Sequence, residues 1–414
     1  MQQTVTPRAT QGWARMATQM SATTGDDRTL AQTASGRGWQ TTPETLAPTD
    51  RPRSVSVLPR VQSEPDGQIA LLHEPSLRYR SVGVLGTGGM GVVERAEDVD
   101  IGRPVAIKRL LPEATHPFGV ARFVSEIRIV GSLDHPNVVP IHDVGVDESG
   151  RYFFVMKYVE GQTLADVIDK LAAGDPAAHA FWTFERRAEL MIAVLQALEY
   201  AHERGVIHRD VKPENIMVGS HGEIRLMDWG IAKHVGVTEP GEENGALIGT
   251  PAYMSPEQSI GDELDVRSDL YSMTVTFHEF LALRHVLAHR SETVAGLLTA
   301  IQTEAPDVYA FDTYDQTHQN IPPAELRYLC KRGLEKDRNL RYGSASEMIS
   351  DIRKFIDGKA DVKCMYTATK RMFRAGGRLV DRHPHLGVAL AMTHATLSLA
   401  GLAALVYLLV KAVA

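Results

Sequence analysis

The first segment whose residue types suit chemistry is a glycine-rich run at residues 86–93, Gly-Thr-Gly-Gly-Met-Gly-Val-Val. This G-x-G-x-x-G-x-V pattern lets the backbone approach phosphates closely, and two nucleotide-binding folds use it. A dinucleotide-binding fold needs a helix directly after the glycines, whereas residues 92–97 and 104–109 have the pattern of strands. The context therefore favours a hairpin that covers the phosphates of ATP.

Further polar motifs follow the glycine-rich run along the chain. They are Val105-Ala106-Ile107-Lys108, Glu126 within the helical run 122–133, His208-Arg209-Asp210 with Lys212 and Asn215, Asp228-Trp229-Gly230, and Ser255-Pro256-Glu257. In this order and at these approximate spacings the motifs closely resemble those of the protein kinase family, and within it those of the eukaryotic-like serine/threonine kinases of bacteria. The resemblance covers residues 77–358 and implies phosphoryl transfer from ATP to Ser or Thr hydroxyls of proteins.

The resemblance implies four catalytic side chains. Phosphoryl transfer has a loose transition state, so the protein must mainly position the reactants and supply positive charge. Lys108 should hold the α- and β-phosphates of ATP and be steadied by an ion pair with Glu126. Asp210 should accept or orient the substrate hydroxyl, since an aspartate with a pKa of roughly 4 is ionised at neutral pH. Lys212 should reach the γ-phosphate.

The resemblance also implies metal binding at Asn215 and Asp228, whose oxygen atoms suit a Mg²⁺ ion that bridges the phosphates. His208 lies beside the catalytic aspartate, which invites a general-base role, but in the family this residue packs and hydrogen-bonds the backbone. Trp229 replaces the commoner Phe of the metal-binding motif. Its larger ring is expected to pack near His208 and Val130.

The adenine pocket is inferred from residues 153–161, Phe-Phe-Val-Met-Lys-Tyr-Val-Glu-Gly, which resemble a strand that runs into the hinge between two lobes. Met156 would be the gatekeeper, and the backbone of residues 157–159 would hydrogen-bond adenine. The same apolar residues would also suit an ordinary core. The residues expected to contact ATP are Gly86, Thr87, Gly88, Gly89, Met90, Gly91, Val93, Ala106, Lys108, Met156, Tyr158, Val159 and Met217.

Two threonines of the expected activation segment have different implied roles. Thr250 should hydrogen-bond Asp210 and Lys212, as the threonine typical of serine/threonine kinases does. Thr238 is a candidate phosphorylation site, because Arg209 resembles a residue that often pairs with a phosphate in this segment. Three glutamates close to Thr238 carry negative charge of their own, so its phosphorylation is expected to matter only modestly.

The resemblance implies structural roles for two buried carboxylates. Glu257 ends the activation segment, and its expected partner is Arg341 in the run 337–342. Asp269 is expected to brace the backbone of the catalytic loop from a buried helix. Both roles concern stability rather than the transfer step.

Two rival functions follow from the same motifs. A pseudokinase or scaffold that binds ATP without transferring phosphate would require loss of Lys108, Asp210, Asn215 or Asp228, and all four are present. A small-molecule phosphotransferase on the same fold is disfavoured by residues 249–257, which in the family shape a groove for an extended peptide. The motifs therefore favour protein substrates.

The elements that must position these residues follow from hydrophobic periodicity. Strand-like runs at residues 79–85, 92–97 and 104–109 come first, and helical periodicity follows, most clearly in residues 184–204. Strands segregated before helices indicate an α+β fold rather than a doubly wound sheet. The resemblance makes this a bilobal protein kinase fold, with a small β-rich N-lobe and a larger helical C-lobe.

Composition excludes several classes of protein. The chain has 414 residues, of which 43% are apolar, as in ordinary globular proteins of two or three units. Its net charge of -7 gives no electrostatic footprint for nucleic acid. The two cysteines, Cys330 and Cys364, exclude a disulfide framework and a cysteine-based zinc site.

Both ends of the chain differ from the globular part. Residues 1–76 are rich in Thr, Ser, Gln and Pro and are predicted to be a disordered tail. Residues 359–385 form a basic linker, and residues 386–410 lack Asp, Glu, Lys and Arg, which predicts a transmembrane helix. The basic residues before this span predict a single-pass protein of the cytoplasmic (inner) membrane with its kinase domain in the cytoplasm.

The ends also suggest partners besides protein substrates and the membrane. Gly387, Ala391 and Ala395 form a small-xxx-small stripe that would allow two spanning helices to pair in a homodimer. The tail carries twelve Thr within its first fifty residues and is an accessible target for autophosphorylation. A buried or interfacial helix at residues 386–410 is the alternative to a membrane span.

Overall fold

A computed structural model of the chain describes residues 60–63, 69–72, 77–234, 249–287, 293–304, 307–310 and 314–360. Among the described residues, 324–326 and 351–360 belong to a second unit, separate from the rest. All the residues that build the site described below lie in the first unit.

A five-stranded antiparallel sheet opens the globular region. Its strands are β3 (Tyr79–Thr87), β4 (Gly91–Asp98), β5 (Arg103–Leu110), β6 (Ile141–Val146) and β7 (Tyr152–Lys157). They pair in the order β3, β4, β5, β7, β6. Alternate residues of the central strands pack into one core, in which Val105, Ile107 and Val155 are fully buried. The three strands predicted from the sequence are present, each with bounds one or two residues wider.

Most of the chain after the sheet is helical. The helices are α1 (Pro117–Ser132), α2 (Leu164–Ala172), α3 (Pro176–Phe181), α4 (Phe184–His202), α5 (Pro256–Ser259), α6 (Val266–Ala282), α7 (Val294–Thr303), α8 (Ala324–Gly333) and α9 (Ala345–Ile356). Short strands lie among them, namely β8 (Gly161–Thr163), β9 (Val206–Ile207), β10 (Ile216–Gly219), β11 (Ile224–Leu226) and β12 (Lys233–His234). The expected α+β arrangement, with a sheet followed by a helical lobe, is confirmed.

Helix α4 begins at a threonine cap and buries the face that its periodicity predicts. The side chain of Thr183 accepts a hydrogen bond from the backbone N–H of Arg186, which satisfies one of the free donors of the first turn. Leu190, Val194 and Leu198, spaced four residues apart, are almost completely buried. The helix ends two residues before the predicted end, at His202.

Helix α6 is buried along almost its whole length, since every residue from Ser268 to Ala282 is buried. Burial of this kind favours internal hydrogen-bond partners for the polar side chains of the helix. Its N-cap is Asp265, whose carboxylate accepts from the N–H of Arg267. The chain leaves the helix at Leu283, which adopts a left-handed conformation with φ 57°.

The range predicted to be a disordered tail contains a hairpin. Strands β1 (Arg60–Ser63) and β2 (Ile69–Leu72) pair antiparallel, with Arg60 opposite Leu72. The sequence between them includes Pro65, Asp66 and Gly67, residue types that are typical of turns. The tail prediction is therefore wrong for these eight residues, because the low overall hydrophobicity masked a local strand-turn-strand pattern.

The predicted membrane span at residues 386–410, the linker at residues 361–385 and Thr238 lie outside the described residues. None of the helices in the described part of the chain is long and apolar enough to cross a membrane.

A buried ion pair joins the segment before α6 to the chain after α8. Both guanidinium NH groups of Arg341 donate to the carboxylate of Glu257, at 2.7 and 2.8 Å. The hydroxyl of Ser268 donates to the same carboxylate at 2.7 Å. Burial alone would raise the pKa of Glu257, but the hydrogen bond and charge of Arg341 outweigh burial and lower it. The carboxylate is therefore ionised and fully paired at neutral pH.

We expect Glu257→Gln to lower the free energy of unfolding by about 3 to 5 kcal/mol, because it leaves the buried Arg341 without a counter-charge. Urea denaturation followed by fluorescence measures this loss. The control is Arg338→Met, which removes an ion pair to the half-exposed Asp262 and should cost about 0 to 1 kcal/mol. Equal losses in the two variants would contradict the structural role of the buried pair.

Candidate active site

Strand β5 and helix α1 bring a lysine and a glutamate together beneath the sheet. Lys108 lies opposite Phe154 of β7, and its Nζ is 2.6 Å from Oε1 of Glu126. The same Nζ donates to Oδ1 of Asp228 at 3.2 Å. The side chain of Glu126 is only 2% exposed, whereas that of Asp228 is half exposed. Lys108 therefore joins the sheet to α1 and to the 228–230 motif.

The three charges adjust one another's ionisation. Burial would lower the pKa of Lys108, but the charges of Asp228 and Glu126 outweigh burial and hold it above its ordinary value. The positive charge of Lys108 lowers the pKa of Asp228 to about 2. The site therefore presents an ammonium group and an ionised carboxylate at neutral pH, which suits binding of a phosphate and of a cation respectively.

Asp269 of α6 holds the backbone of the loop that carries the catalytic aspartate. Its carboxylate accepts from the N–H groups of His208 and Arg209, both at 2.8 Å, and from Nε2–H of His202 at 2.8 Å. Arg209 has a positive φ of 68°, which is uncommon for a residue other than glycine. Burial alone would raise the pKa of Asp269, but the hydrogen bonds and charge of His202 and His208 outweigh burial and lower it.

Asp210, Lys212 and Thr250 form a connected polar group. Nζ of Lys212 donates to Oδ2 of Asp210 and to the hydroxyl of Thr250, both at 2.6 Å. The backbone N–H of Thr250 donates to Oδ1 of Asp210 at 2.9 Å. Both contacts expected of Thr250, with Asp210 and with Lys212, are therefore present. The hydroxyl of Thr250 binds Lys212, and its backbone N–H is the group that orients Asp210.

Asn215 lies where it can serve both the catalytic aspartate and a cation. Its Nδ2 donates to the backbone carbonyl of Asp210 at 2.9 Å and to its carboxylate at 3.2 Å. This leaves the amide oxygen of Asn215 as an acceptor, and the carboxylate of Asp228 is the second oxygen donor of the predicted metal pair. No cluster of three or more His, Cys, Asp and Glu residues that could hold a metal occurs in the described part of the chain.

His208 and Trp229 pack against each other behind the catalytic loop. Their ring centroids are 4.5 Å apart, and both side chains are buried. Nε2–H of His208 donates to the carbonyl of Met227 at 3.0 Å, while its Nδ1 accepts from the N–H of Asp210 at 3.3 Å. Burial lowers the pKa of His208. These bonds to the backbone are the packing arrangement that the resemblance implies, and they occupy both ring nitrogens.

The glycine-rich run forms the turn between β3 and β4. The N–H of Gly88 donates to the carbonyl of Gly91 at 2.8 Å. A Cβ on Gly91 would lie 2.8 Å from the carbonyl oxygen of Arg109, so a side chain there would displace backbone. Thr87, Gly88 and Gly89 are exposed at the tip of this turn. The exposed turn therefore carries no bulky side chain at its glycines, so a ligand can approach its backbone closely.

The predicted adenine-pocket residues come from several elements. Ala106 on β5 is opposite Met156 on β7, and Val93 on β4 is opposite Lys108. Tyr158 and Val159 directly follow β7, and Met217 lies on β10 in a separate three-stranded sheet. The strand register thus places Val93, Ala106, Lys108 and Met156 close together, whereas Met217 belongs to a different sheet.

Sequence reasoning missed one residue that holds the catalytic loop. Nε2 of Gln258 donates to the carbonyl of Arg209 at 2.7 Å. Gln258 also closes a capping box with Ser255 at the start of α5. The pattern Ser255-Pro256-Glu257-Gln258 is a capping-box signature that could have indicated a fixed helix start, although not its contact with Arg209.

Comparison with known proteins agrees with this geometry. Residues 79–352 match the protein kinase domain family. A probable serine/threonine-protein kinase of Streptomyces coelicolor is 37% identical over 68% of this chain and 40% of its own length. The probable serine/threonine-protein kinase PknB of Bifidobacterium longum is 33% identical over 70% and 41% of the two chains, and PknB of Mycobacterium leprae is 32% identical over 68% and 43%.

The chain spans about two fifths of the length of these relatives, and the matched part is the part that contains the site. The family match covers the strands of the sheet, the catalytic loop and the 228–230 motif, whose side chains meet as described above. The chain therefore belongs to the protein kinase family.

Proposed function

We propose that the chain transfers the γ-phosphoryl group of ATP to Ser or Thr hydroxyls of proteins. The observation that carries the proposal is that Asp210, Lys212 and Thr250 are hydrogen-bonded to one another, Lys108 is paired with Glu126, and the charges of both lysines act on Asp228, whose pKa they lower. One group can accept a hydroxyl proton, and two others supply the positive charge that phosphoryl transfer requires. The names of the bacterial relatives, serine/threonine-protein kinases, support the same activity.

ATP binds between the glycine-rich turn and β5 in this proposal. The N–H groups at residues 86–91 cover the phosphates, and Lys108 contacts the α- and β-phosphates. Because Glu126 contacts Lys108 at 2.6 Å, the ammonium group is held in place before ATP arrives. The adenine ring lies among Val93, Ala106 and Met156, with Tyr158, Val159 and Met217 completing the pocket.

The transfer step follows from the contacts of Asp210. The oxygen of the substrate hydroxyl attacks the γ-phosphorus, its proton passes to the Asp210 carboxylate, and the bond to the β–γ bridging oxygen breaks to release ADP. Lys212, held 2.6 Å from Asp210, stabilises the charge on the γ-phosphoryl oxygens. The bond from the N–H of Thr250 fixes the orientation of the Asp210 carboxylate during this step.

Asn215 and Asp228 would hold a Mg²⁺ ion in the proposed site. Two protein oxygens fit this metal, because Mg²⁺ retains waters and phosphate oxygens as its other ligands. When bound, the metal would supply positive charge that neutralises the phosphates. The low pKa of Asp228, about 2, keeps its carboxylate ionised and able to serve as a ligand.

We expect Lys108→Met and Asp210→Asn each to reduce phosphoryl transfer by at least about several hundred-fold, since each removes a charge-stabilising or positioning group. Radiolabelled γ-phosphate transferred to casein measures the rate. Matched controls are Lys359→Met and Asp357→Asn, which break an exposed ion pair and should leave the rate unchanged. Transfer at the wild-type rate by either active-site variant would contradict the assignment.

We propose further that residues 386–410 anchor the chain in the cytoplasmic membrane, with the kinase domain in the cytoplasm. The support comes from the sequence, namely a stretch of 25 residues without Asp, Glu, Lys or Arg that exceeds the roughly 20 needed to span the hydrocarbon core. Lys370, Arg371, Arg374, Arg378 and Arg382 precede it, as the positive-inside rule requires for this orientation. Pairing of two such helices through Gly387, Ala391 and Ala395 would form a homodimer.

The full-length chain is expected to fractionate with membranes and to resist carbonate extraction, because an apolar span remains in the bilayer. A variant lacking residues 384–414 is expected to be soluble and active, with autophosphorylation that depends steeply on protein concentration. Recovery of the full-length chain in the soluble fraction would overturn the anchor. Residues 386–410 would then be a packing helix.

Autophosphorylation is expected to cluster in the first fifty residues, because a Thr-rich segment tethered to its kinase has a high effective concentration. Mass spectrometry of the purified chain after incubation with Mg-ATP locates the phosphates. The Asp210→Asn variant, treated in the same way, shows which sites arise from the chain's own activity. Phosphate found only within residues 77–358 would contradict the prediction.

A further inference from the structure

The segment of residues 250–254, called loop 250–254 below, is held on its buried side by three polar side chains. The hydroxyl of Ser272 donates to the carbonyl of Tyr253 at 2.7 Å, and the hydroxyl of Tyr253 donates to Glu279 at 2.6 Å. Nε2–H of His285 donates to the carbonyl of Ala252 at 2.9 Å. Ser272 and Glu279 lie on α6, and His285 follows its end. The loop is thus fixed at two neighbouring carbonyls, one bound by Ser272 and the other by His285.

The exposed side of the same loop contacts the catalytic groups. The N–H of Thr250 donates to Asp210 at 2.9 Å, and the hydroxyl of Thr250 accepts from Lys212 at 2.6 Å. The N–H of Tyr253 donates to the carbonyl of Thr250 at 2.9 Å, which closes a single 3-10 turn over Pro251–Tyr253. Thr250 and the residues fixed by α6 therefore belong to one turn and do not move independently.

His285 is bonded at both ring nitrogens. The backbone N–H of Leu287 donates to Nδ1 at 3.1 Å, so the proton of the neutral ring resides on Nε2, where it is donated to Ala252. The ring is 7% exposed and packs edge-on against Tyr253, with centroids 5.3 Å apart. Burial lowers the pKa of His285 to about 4, which keeps this neutral tautomer at physiological pH.

We propose that His285 is a positioning residue for the phosphoacceptor, which fixes loop 250–254 so that the N–H of Thr250 orients Asp210. The inference rests on the proposed function and adds to it a residue that touches neither ATP nor the substrate. A hydroxyl that reaches Asp210 must lie beside Thr250, so the protein substrate depends on this loop. In the proposed function ATP is held mainly through Lys108, whose hydrogen-bond partners are Glu126 and Asp228 and not residues of this loop, so the binding of ATP depends less on it.

Two conservative variants distinguish the effects of the two hydrogen bonds made by the ring nitrogens of His285. His285→Gln places an amide N–H near the position of Nε2 and retains the donor to Ala252. His285→Asn places an amide oxygen near the position of Nδ1, which retains the acceptor for Leu287 but loses the donor to Ala252. The full-length chain and both variants are compared by steady-state kinetics, with casein and ATP varied in turn.

We expect His285→Asn to lower kcat/KM for casein about tenfold, the size of effect that follows when a buried carbonyl loses its donor. The KM for ATP should stay within about twofold of the wild-type value, and His285→Gln should recover most of the loss. The control is His278→Asn, the same change at a buried histidine of α6 whose ring nitrogens have no hydrogen-bond partner in the described part of the chain. It should leave both constants unchanged.

Should His285→Asn not fold, His285→Leu fills the same volume without either hydrogen bond, and the same kinetic loss is expected. An active wild-type chain whose casein kcat/KM is unchanged by His285→Asn or His285→Leu would overturn the inference. So would an equal rise in the KM for ATP, because that result indicates general damage rather than loss of positioning. A wild-type chain that transfers no phosphate would overturn the proposed function and this inference together.

Discussion

The burial of α6 is the constraint on which the arrangement of the site depends. Burying a polar side chain favours a hydrogen-bond partner for it, and several polar side chains of α6 find theirs in the loops of the catalytic lobe. Asp269 binds two N–H groups of the catalytic loop, Ser268 binds Glu257, and Ser272 binds loop 250–254. Each loop would leave a buried group unpaired if it moved, so the helix fixes several loops in one geometry.

The parts of the site that could be predicted from the sequence are those carried by charge and by fixed spacing. The pairing of Lys108 with Glu126 is implied by the resemblance of their motifs to those of the kinase family, and the structure contains it, whereas the contact of Lys108 with Asp228 was not predicted. Helix α4 was predictable because its apolar residues recur at a single period. Glu257 and Arg341 form an ion pair, as Lys108 and Glu126 do. The pairing is favourable because neither charge is stable alone when it is buried.

The parts that could not be predicted involve backbone groups, whose partners no residue type reveals. The contact of Thr250 with Asp210 was expected, but the atom that makes it is a backbone N–H, which every residue except proline carries and which the residue type therefore does not reveal. Gln258 and His285 both donate to backbone carbonyls of loops, and nothing in their spacing marks those acceptors. The hairpin at β1 and β2 was missed because its strands are four residues long and lie in a polar segment.

Trp229 shows how packing and hydrogen bonding oppose each other beside the catalytic charges. Within the described residues, neither the buried indole N–H of Trp229 nor Oε2 of Glu126 has a hydrogen-bond partner. Each unpaired buried group lowers the free energy of unfolding by about 1 to 3 kcal/mol. The helix α1, which carries Glu126, keeps its position despite this loss. Two contacts stabilise this arrangement and offset the loss. They are the ion pair of Lys108 with Glu126 and the packing of the indole on His208, with 4.5 Å between the ring centroids. The phenylalanine common in the family would carry no unpaired N–H but would also bury less area, so at this position the packing of one ring offsets a lost hydrogen bond.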